Sequence, residues 1–527
     1  MASTEPTDWR QRITAGLDAV AAGFERRVEI DLRALAAFRI GLGSLIVLDL
    51  LLRTRDFTAF YTNDGVLPTK ALYSDYTDVH SLHAWLGEWW LVALLFVVAA
   101  AVGVALVVGY RTRTVTLISF LLLFSLHNRN PMVLNGGDIL FRLLVFWAIF
   151  LPLGERWSID ARRIDRERSS VATMATFAVL AQIVIMYVSN FVHKTNGQDW
   201  IQGKAVAYIL HLDQFSVFLG PYLAEYTGLL KLFTWGWLFL MALSPFLFVL
   251  TGWPRAVVAT GFMGMHLGML VTMQIAIFPL VVVVGLLLFY QAPIWDWFEA
   301  VASRFVTADG SARGPDLLGT ARRSVSGAGG SVASRLPTAS LNRLPRIPYP
   351  AEIPGVRPTL SMIIPAVFIA LIIMSNAHAL GYTAEPPEQG QTLLDKTDTD
   401  QSWQLFAPNP LKDTRWFVAE ATLANGETVD AFTGGNVTFD RPPNAADRAG
   451  TARWRKYLAN MFTAGNENHQ SYFSNYLCGK WNRSHDVKME SVELHGLHEE
   501  ETPFGPDVEI QRTRFSEYDC SGPFVQD

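Results

Sequence analysis

Long runs of apolar residues, broken by short polar segments, fill the first 380 positions of the chain. A helix needs roughly 20 apolar residues to cross a bilayer. Nine stretches approach that length: 34–52, 91–110, 114–126, 139–153, 175–192, 229–252, 256–273, 275–289 and 360–380. The third and fourth are short, so tilt, partial re-entry or polar ends must make up the span. The pattern predicts an all-α polytopic membrane bundle of about nine transmembrane helices, eight of them within 34–300 and the ninth within 359–382.

Residues 1–33 lack the short apolar core and small-residue cleavage site of a removable signal peptide. Ile13, Leu17, Val20, Phe24 and Val28 recur every three or four positions, which puts one apolar stripe on a helix. Arg10, Arg12, Arg26 and Arg27 take the other side. Two readings stand: a helix lying on the cytoplasmic leaflet, or one packed against the bundle.

Arginine sets the expected orientation. Arg33, Arg111, Arg113, Arg156, Arg162, Arg163, Arg166, Arg168 and Arg255 lie in loops that share one side if there are nine spans. So does the segment 301–358, rich in Arg, Ser, Gly and Pro, which reads as a disordered linker. The positive-inside rule makes that side cytoplasmic.

Residues 383–527 have a different character. They carry 13 Lys plus Arg against 23 Asp plus Glu, a net charge of −10. Nine spans and a cytoplasmic start place this part outside. Asn425-Gly426 between two β-prone runs predicts a hairpin. Runs at 452–462 and 472–481 look helical, and 487–495 and 508–515 read as strands. The expectation is a small extracytoplasmic α+β domain. Cys478 and Cys520, the only two cysteines of the chain, both fall there. An even count in an oxidising compartment argues for a disulfide, against the alternative of two separate buried thiols. No His pair stands near them, so no metal site is expected.

Composition agrees with the membrane reading. Half of the 527 residues are hydrophobic, only 17% are charged, and the mean hydropathy is +0.22. A soluble chain of this size needs more charge to cover its domains. A net charge of −5 leaves no basic footprint for nucleic acid.

Ionisable residues inside a membrane are costly and mark functional sites. Asp49, Asp138, Arg142, His193, Lys194 and His266 come from several stretches, with His127 at the end of the third. At ~1.5 Å per residue they gather in the outer half of the membrane, whereas Arg39 lies deeper. Interhelical salt bridges, Asp138 or Asp49 with Arg142, account for part of this set. Lys194 and His266 have no obvious partner.

Several runs carry a resemblance. Phe38-Arg39-Ile40-Gly41, Tyr61-Thr62-Asn63-Asp64-Gly65-Val66-Leu67-Pro68, Asn128-Arg129-Asn130-Pro131 and Gly136-Gly137-Asp138 are similar to motifs of the HTTM (horizontally transferred transmembrane) family. So are Phe150-Leu151-Pro152-Leu153-Gly154 with Trp157-Ser158-Ile159-Asp160, and Lys194 ahead of Asp199-Trp200-Ile201-Gln202-Gly203. His266 with Phe278-Pro279, and Trp403-Gln404-Leu405-Phe406-Ala407-Pro408-Asn409-Pro410, complete a set spanning about 34–435 in the expected order. The superfamily includes vitamin K-dependent gamma-glutamyl carboxylase, in which a lysine acts as base on reduced vitamin K. The resemblance implies Lys194, ahead of Trp200, as the base and His266 as a pocket residue; the shared depth of the polar groups adds Asp49, His127, Asp138, Arg142 and His193 to the same pocket. It also implies a quinone or hydroquinone cofactor and lyase or epoxidase chemistry. A lysine can serve so only as a neutral amine. The carboxylase has paired lysines and an Asn-Asn-His motif, and this chain has His193-Lys194 and Asp138 instead. About 145 residues replace its large luminal domain. These departures argue against carboxylation of protein glutamates and leave a quinol-linked or other lipid-phase reaction.

Three functions therefore compete. The first is an enzyme with an outward-opening pocket for a lipophilic cofactor. The second is a non-catalytic scaffold presenting the external domain to an extracytoplasmic protein partner. The third, a transporter, would show internal repeats or broken helices in matching halves, and none is evident in the sequence.

Overall fold

The structure, a computed structural model, describes residues 8–76, 79–163, 168–307, 357–462, 467–505 and 509–522. The middle of the linker expected at 301–358 lies outside the described residues, as do residues 1–7. The chain is mostly helical, with a small sheet near its C-terminal end. The first helix, α1 (Asp8–Val28), precedes strand β1 (Ile30–Asp31), which pairs with β2 (Ser170–Val171). Asp31 then caps α2 (Leu32–Arg53).

Each of the nine apolar stretches forms helix. They are α2, α3 (Trp89–Val108), α4 (Thr112–His127), α5 (Gly136–Ala148), α6 (Met174–Thr195), and, after the short α7 (Ala205–His211), α8 (Thr227–Ala242). Next come α9 (Gly252–Thr272), α10 (Phe278–Leu286), α11 (Ala292–Thr307), which is a segment the pattern did not single out, and α12 (Arg357–Ala379). Among the described residues, five are long and apolar enough to cross a membrane: Leu32–Tyr61 counted as one unit, α3, α6, α9 and the Ser361–Ala379 part of α12. The number rises to six if the pair Phe278–Phe289 and Ala292–Arg304, bent by 103°, is one broken span.

The shorter helices have local causes. The expected span 229–252 stops at Ala242, because Ser244-Pro245 breaks the hydrogen-bond ladder and a separate turn, Phe246–Val249, follows. At 16 residues α4 extends only ~24 Å. Helices α2 and α3 cross where glycines meet: a Cβ on Gly43 would lie 2.7 Å from the Gly103 carbonyl oxygen. Small residues at such a crossing let backbones approach and pack.

Near the C-terminal end, β3 (Asp413–Leu423), β4 (Thr428–Asp430), β5 (Met489–Glu500) and β6 (Gln511–Asp519) form one antiparallel sheet in the order β4-β3-β5-β6. The Asn425-Gly426 turn joins β3 to β4, and Gly426 takes the positive φ of 83° that glycine tolerates. Helices α13 (Ala452–Met461) and α14 (Glu467–Ser484) lie between the two hairpins in sequence, and α14 packs on β5 and β6. Cys478 in α14 is disulfide-bonded to Cys520 just after β6, with Cα atoms 5.5 Å apart.

Candidate functional site

Helix α6 builds the site from one of its faces. Tyr187, Asn190 and Lys194 follow one another at spacings of three and four, so they share a stripe. His193 does not line the cavity described below. Lys194 is buried at 2% exposure, yet no carboxylate pairs with it among the described residues. Its Nζ donates to the carbonyl oxygens of Leu405 (2.5 Å) and Phe406 (3.3 Å) and sits 3.7 Å from the centroid of the Trp200 ring.

The acceptors belong to a strap, residues 399–411, that leads into β3. It is fastened along α6 by side chains. Gln182 Nε2 donates to Gln401 Oε1 at 2.6 Å, and Trp403 Nε1 donates to the same oxygen. Asn190 Nδ2 donates to the carbonyls of Trp403 (2.7 Å) and Leu405 (3.1 Å). Trp200 Nε1 donates to Phe406 O at 2.8 Å. Gly197 admits the strap: a Cβ there would lie 1.6 Å from the carbonyl oxygen of Pro408.

Under the strap lies a cavity of about 820 Å³, walled by α6, α7, α8 and α9 and reached by Arg455 and Lys456 of α13. That volume suits a small-molecule site. Lys194, Trp200 and His266 all line it. His266, midway along α9 and 1% exposed, is held by its own helix through Nδ1 and the Phe262 carbonyl at 3.1 Å. The rings of Tyr187, Trp237 and Phe278 surround it at 5.7–6.0 Å. The Tyr187 hydroxyl is buried with no hydrogen-bond partner among the described residues. An unpaired buried hydroxyl beside a cavity is a group a ligand can satisfy.

The remaining expected pocket residues lie elsewhere. Asp49, His127, Asp138 and Arg142 do not line this cavity; with Arg53 and Arg453 they form a separate buried cluster. Arg53 donates through Nε to Asp49 (2.6 Å) and through Nη2 to Asp138 (2.7 Å) and His127 Nε2 (3.1 Å). Arg453 reaches the same pair, 2.7 Å from Asp49 Oδ1 and 3.2 Å from Asp138 Oδ1. The expected pairing of Arg142 with Asp138 or Asp49 is therefore corrected. Two other guanidinium groups occupy both carboxylates, and Arg142 turns to Asp398, whose carbonyl accepts at 2.7 Å. Burial pulls Arg453 down, but Asp138, Tyr61 and Asp49 outweigh it and hold its guanidinium above the ordinary arginine range.

Asp49, His127 and Asp138 have ligand atoms within 4.8 Å of one another, as a metal site would require. Their carboxylates already neutralise two arginines, so a dication would have to displace both. The deep Arg39 donates to the carbonyls of Leu153 (3.3 Å) and Trp157 (2.6 Å).

Sequence reasoning missed Arg53, Arg453, Tyr187 and the roof role of the strap. One signal was present: Arg453, Arg455 and Lys456 cluster within an otherwise acidic region.

Comparison with known proteins fits this architecture. Over 116 residues the chain is 26% identical to the uncharacterized protein YitO of Bacillus subtilis (strain 168), a match covering 21% of this chain and 37% of that protein. The chain thus spans little more than a third of that relative. No solved structure matches. The HTTM domain family model matches residues 28–297, half of the chain, and takes in Lys194, Trp200 and His266. The protein is a membrane protein that belongs to the HTTM domain family.

Proposed function

We propose that the protein acts on a lipophilic ligand of quinol type held in the cavity between α6, α8 and α9, with Lys194 as base and His266 as the second polar group of the pocket. One observation carries this reading: a buried amine, with no carboxylate beside it among the described residues, lines a cavity whose walls are mostly apolar and aromatic. Two carbonyls take two of its N–H bonds. The remaining position on nitrogen, an N–H or a lone pair, is left for proton exchange. Tyr187 offers an unused hydroxyl in the same space. The residues fit an aromatic ring with polar substituents, because Trp237, Phe278 and Tyr187 supply faces for it while Lys194 and His266 supply the polar ends. A hydroquinone would bring acidic hydroxyl protons and a ring that gives up electrons. The chain's own part is to hold the ring, take a proton at Lys194 Nζ and exclude water with the strap.

The topology that suits this chemistry has nine crossings, with the short α4, α5, α8 and α10 completing the bundle. The segment 1–33 and the 301–358 linker are then cytoplasmic, and 383–527 is extracytoplasmic. Arg-bearing loops on one side support it. The scaffold reading has one observation in its favour: Asp49 and Asp138 are closed off in ion pairs with Arg53 and Arg453, and Arg142 is paired with Asp398. It leaves the cavity unexplained.

The test is mass spectrometry of organic extracts from protein purified in mild detergent. A co-purifying quinone is expected in the parent protein, and its loss in Lys194→Met and His266→Leu proteins that express and elute normally. Equal recovery of lipids from all three proteins, with no quinone, overturns the proposal.

A further inference from the structure

The walls of the cavity are electrically one-sided. Lys194, Arg455 and Lys456 line it, and no Asp or Glu does among the described residues. Arg455 donates to the Gln274 carbonyl at 3.1 Å and lies 4.1 Å from the Phe215 ring centroid, but its Nε is buried without an acceptor among the described residues. Lys456 makes no ion pair or hydrogen bond among the described residues. Adjacent cations set against apolar walls without a counter-ion are unfavourable until an anion joins them. Part of the lining is apolar and open: Leu219, Phe233 and Val271 stand 53%, 41% and 43% exposed.

We propose that the ligand is an amphiphile with an anionic group, carboxylate or phosphate, held by Arg455 and Lys456 while its apolar part fills the cavity toward Leu219, Phe233 and Val271. This rests on the reading of the cavity as a lipophilic-ligand site and adds the charge of its occupant. Burial draws the Arg455 guanidinium down to about 10, and burial together with the Arg455 charge draws the Lys456 amine down. An anion reverses both penalties. Arg supplies a planar fork suited to either oxyanion, and Lys adds a point charge. Both residues sit on α13, outside the helices matched by the family model, so the chain after the last apolar helix sets which headgroup is accepted.

The experiment measures binding of radiolabelled oleate, oleyl phosphate and oleyl alcohol to the full chain in nanodiscs of zwitterionic lipid. At least one anion should bind about tenfold or more tighter than the alcohol, the effect of one or two charge-assisted contacts. The two anions separate a carboxylate from a phosphate ligand. In the Arg455→Gln/Lys456→Gln protein that preference should vanish. Gly264→Phe, which places a ring in the cavity where a Cβ meets nothing within 4 Å, should abolish binding of all three. Equal binding of acid and alcohol, both blocked by Gly264→Phe, overturns the charge proposal and leaves the cavity reading intact. Binding that Gly264→Phe does not touch overturns both.

Discussion

Arg453 Nη2 lies 2.7 Å from Asp49 Oδ1, although 404 residues of chain separate them. A helix of the region beyond the last apolar helix thereby places a guanidinium against the first one, beside Asp138. Two carboxylates and two arginines then balance in a space that excludes water. Removing one partner from such a group leaves a buried charge uncompensated.

Arg453→Met should therefore cost ~3–5 kcal/mol. Thermal unfolding of the detergent-solubilised protein measures it. Adding Asp49→Asn to that variant should recover part of the loss, because the orphaned charge goes with it. A double variant no more stable than Arg453→Met alone would show that the pair carries no coupling.

Gly197→Ala should dislodge the strap, since its Cβ would collide with the Pro408 carbonyl. A loss of at least ~1–3 kcal/mol is expected, together with loss of any ligand that co-purifies. Gly228→Ala, at a position where a Cβ meets nothing within 4 Å, is the matched control.

Reduction should remove the covalent tie between α14 and the chain just after β6. The full chain is expected to shift in non-reducing electrophoresis after dithiothreitol, and Cys478→Ser/Cys520→Ser to lose ~2–5 kcal/mol. Two thiols that alkylate freely in the unfolded, unreduced protein would contradict the bond.

His83 gives the protein an acid limit. Burial, then the charges of Arg129 and Arg53, lower its pKa from 6.5 to about 3. Ser125 Oγ bonds its Nδ1 at 2.7 Å. The unfolded chain takes the proton below about 6.5 and the folded one does not, so the unfolded state binds more protons between these values. Stability should fall as pH drops through that window. Melting curves from pH 7 to 5 should show a shallower decline in His83→Gln.

Orientation can be read with single cysteines in a background lacking the natural pair. A membrane-impermeant maleimide applied to intact cells should label Asp440→Cys and leave Thr320→Cys unlabelled. The opposite pattern reverses the proposed topology.

The apolar helices were legible because lipid burial is a property of composition. Any run of Leu, Val, Ala and Phe long enough declares itself, and Asn425-Gly426 announced its turn by the same local logic. Helix length was less legible, since Pro245 cuts one stretch and Pro279 opens another. Lys194 and His266 stood out as lone polar residues, and the structure does bring them to one cavity. Arg142 was misread because its partner is the distant Asp398, whereas Asp49 and Arg53 are one turn apart and could have been paired by spacing. Arg453 and the strap act across hundreds of residues, and no periodicity encodes such a meeting.

The strap has a consequence for the order of events in the cell. Residues 399–411 leave the ribosome after every helix that walls the cavity. Until then Lys194 and Asn190 lack their carbonyl acceptors, and the chamber has no roof. A nascent chain with all its apolar helices inserted therefore still lacks the roof of the cavity, which forms only when the strap docks along α6.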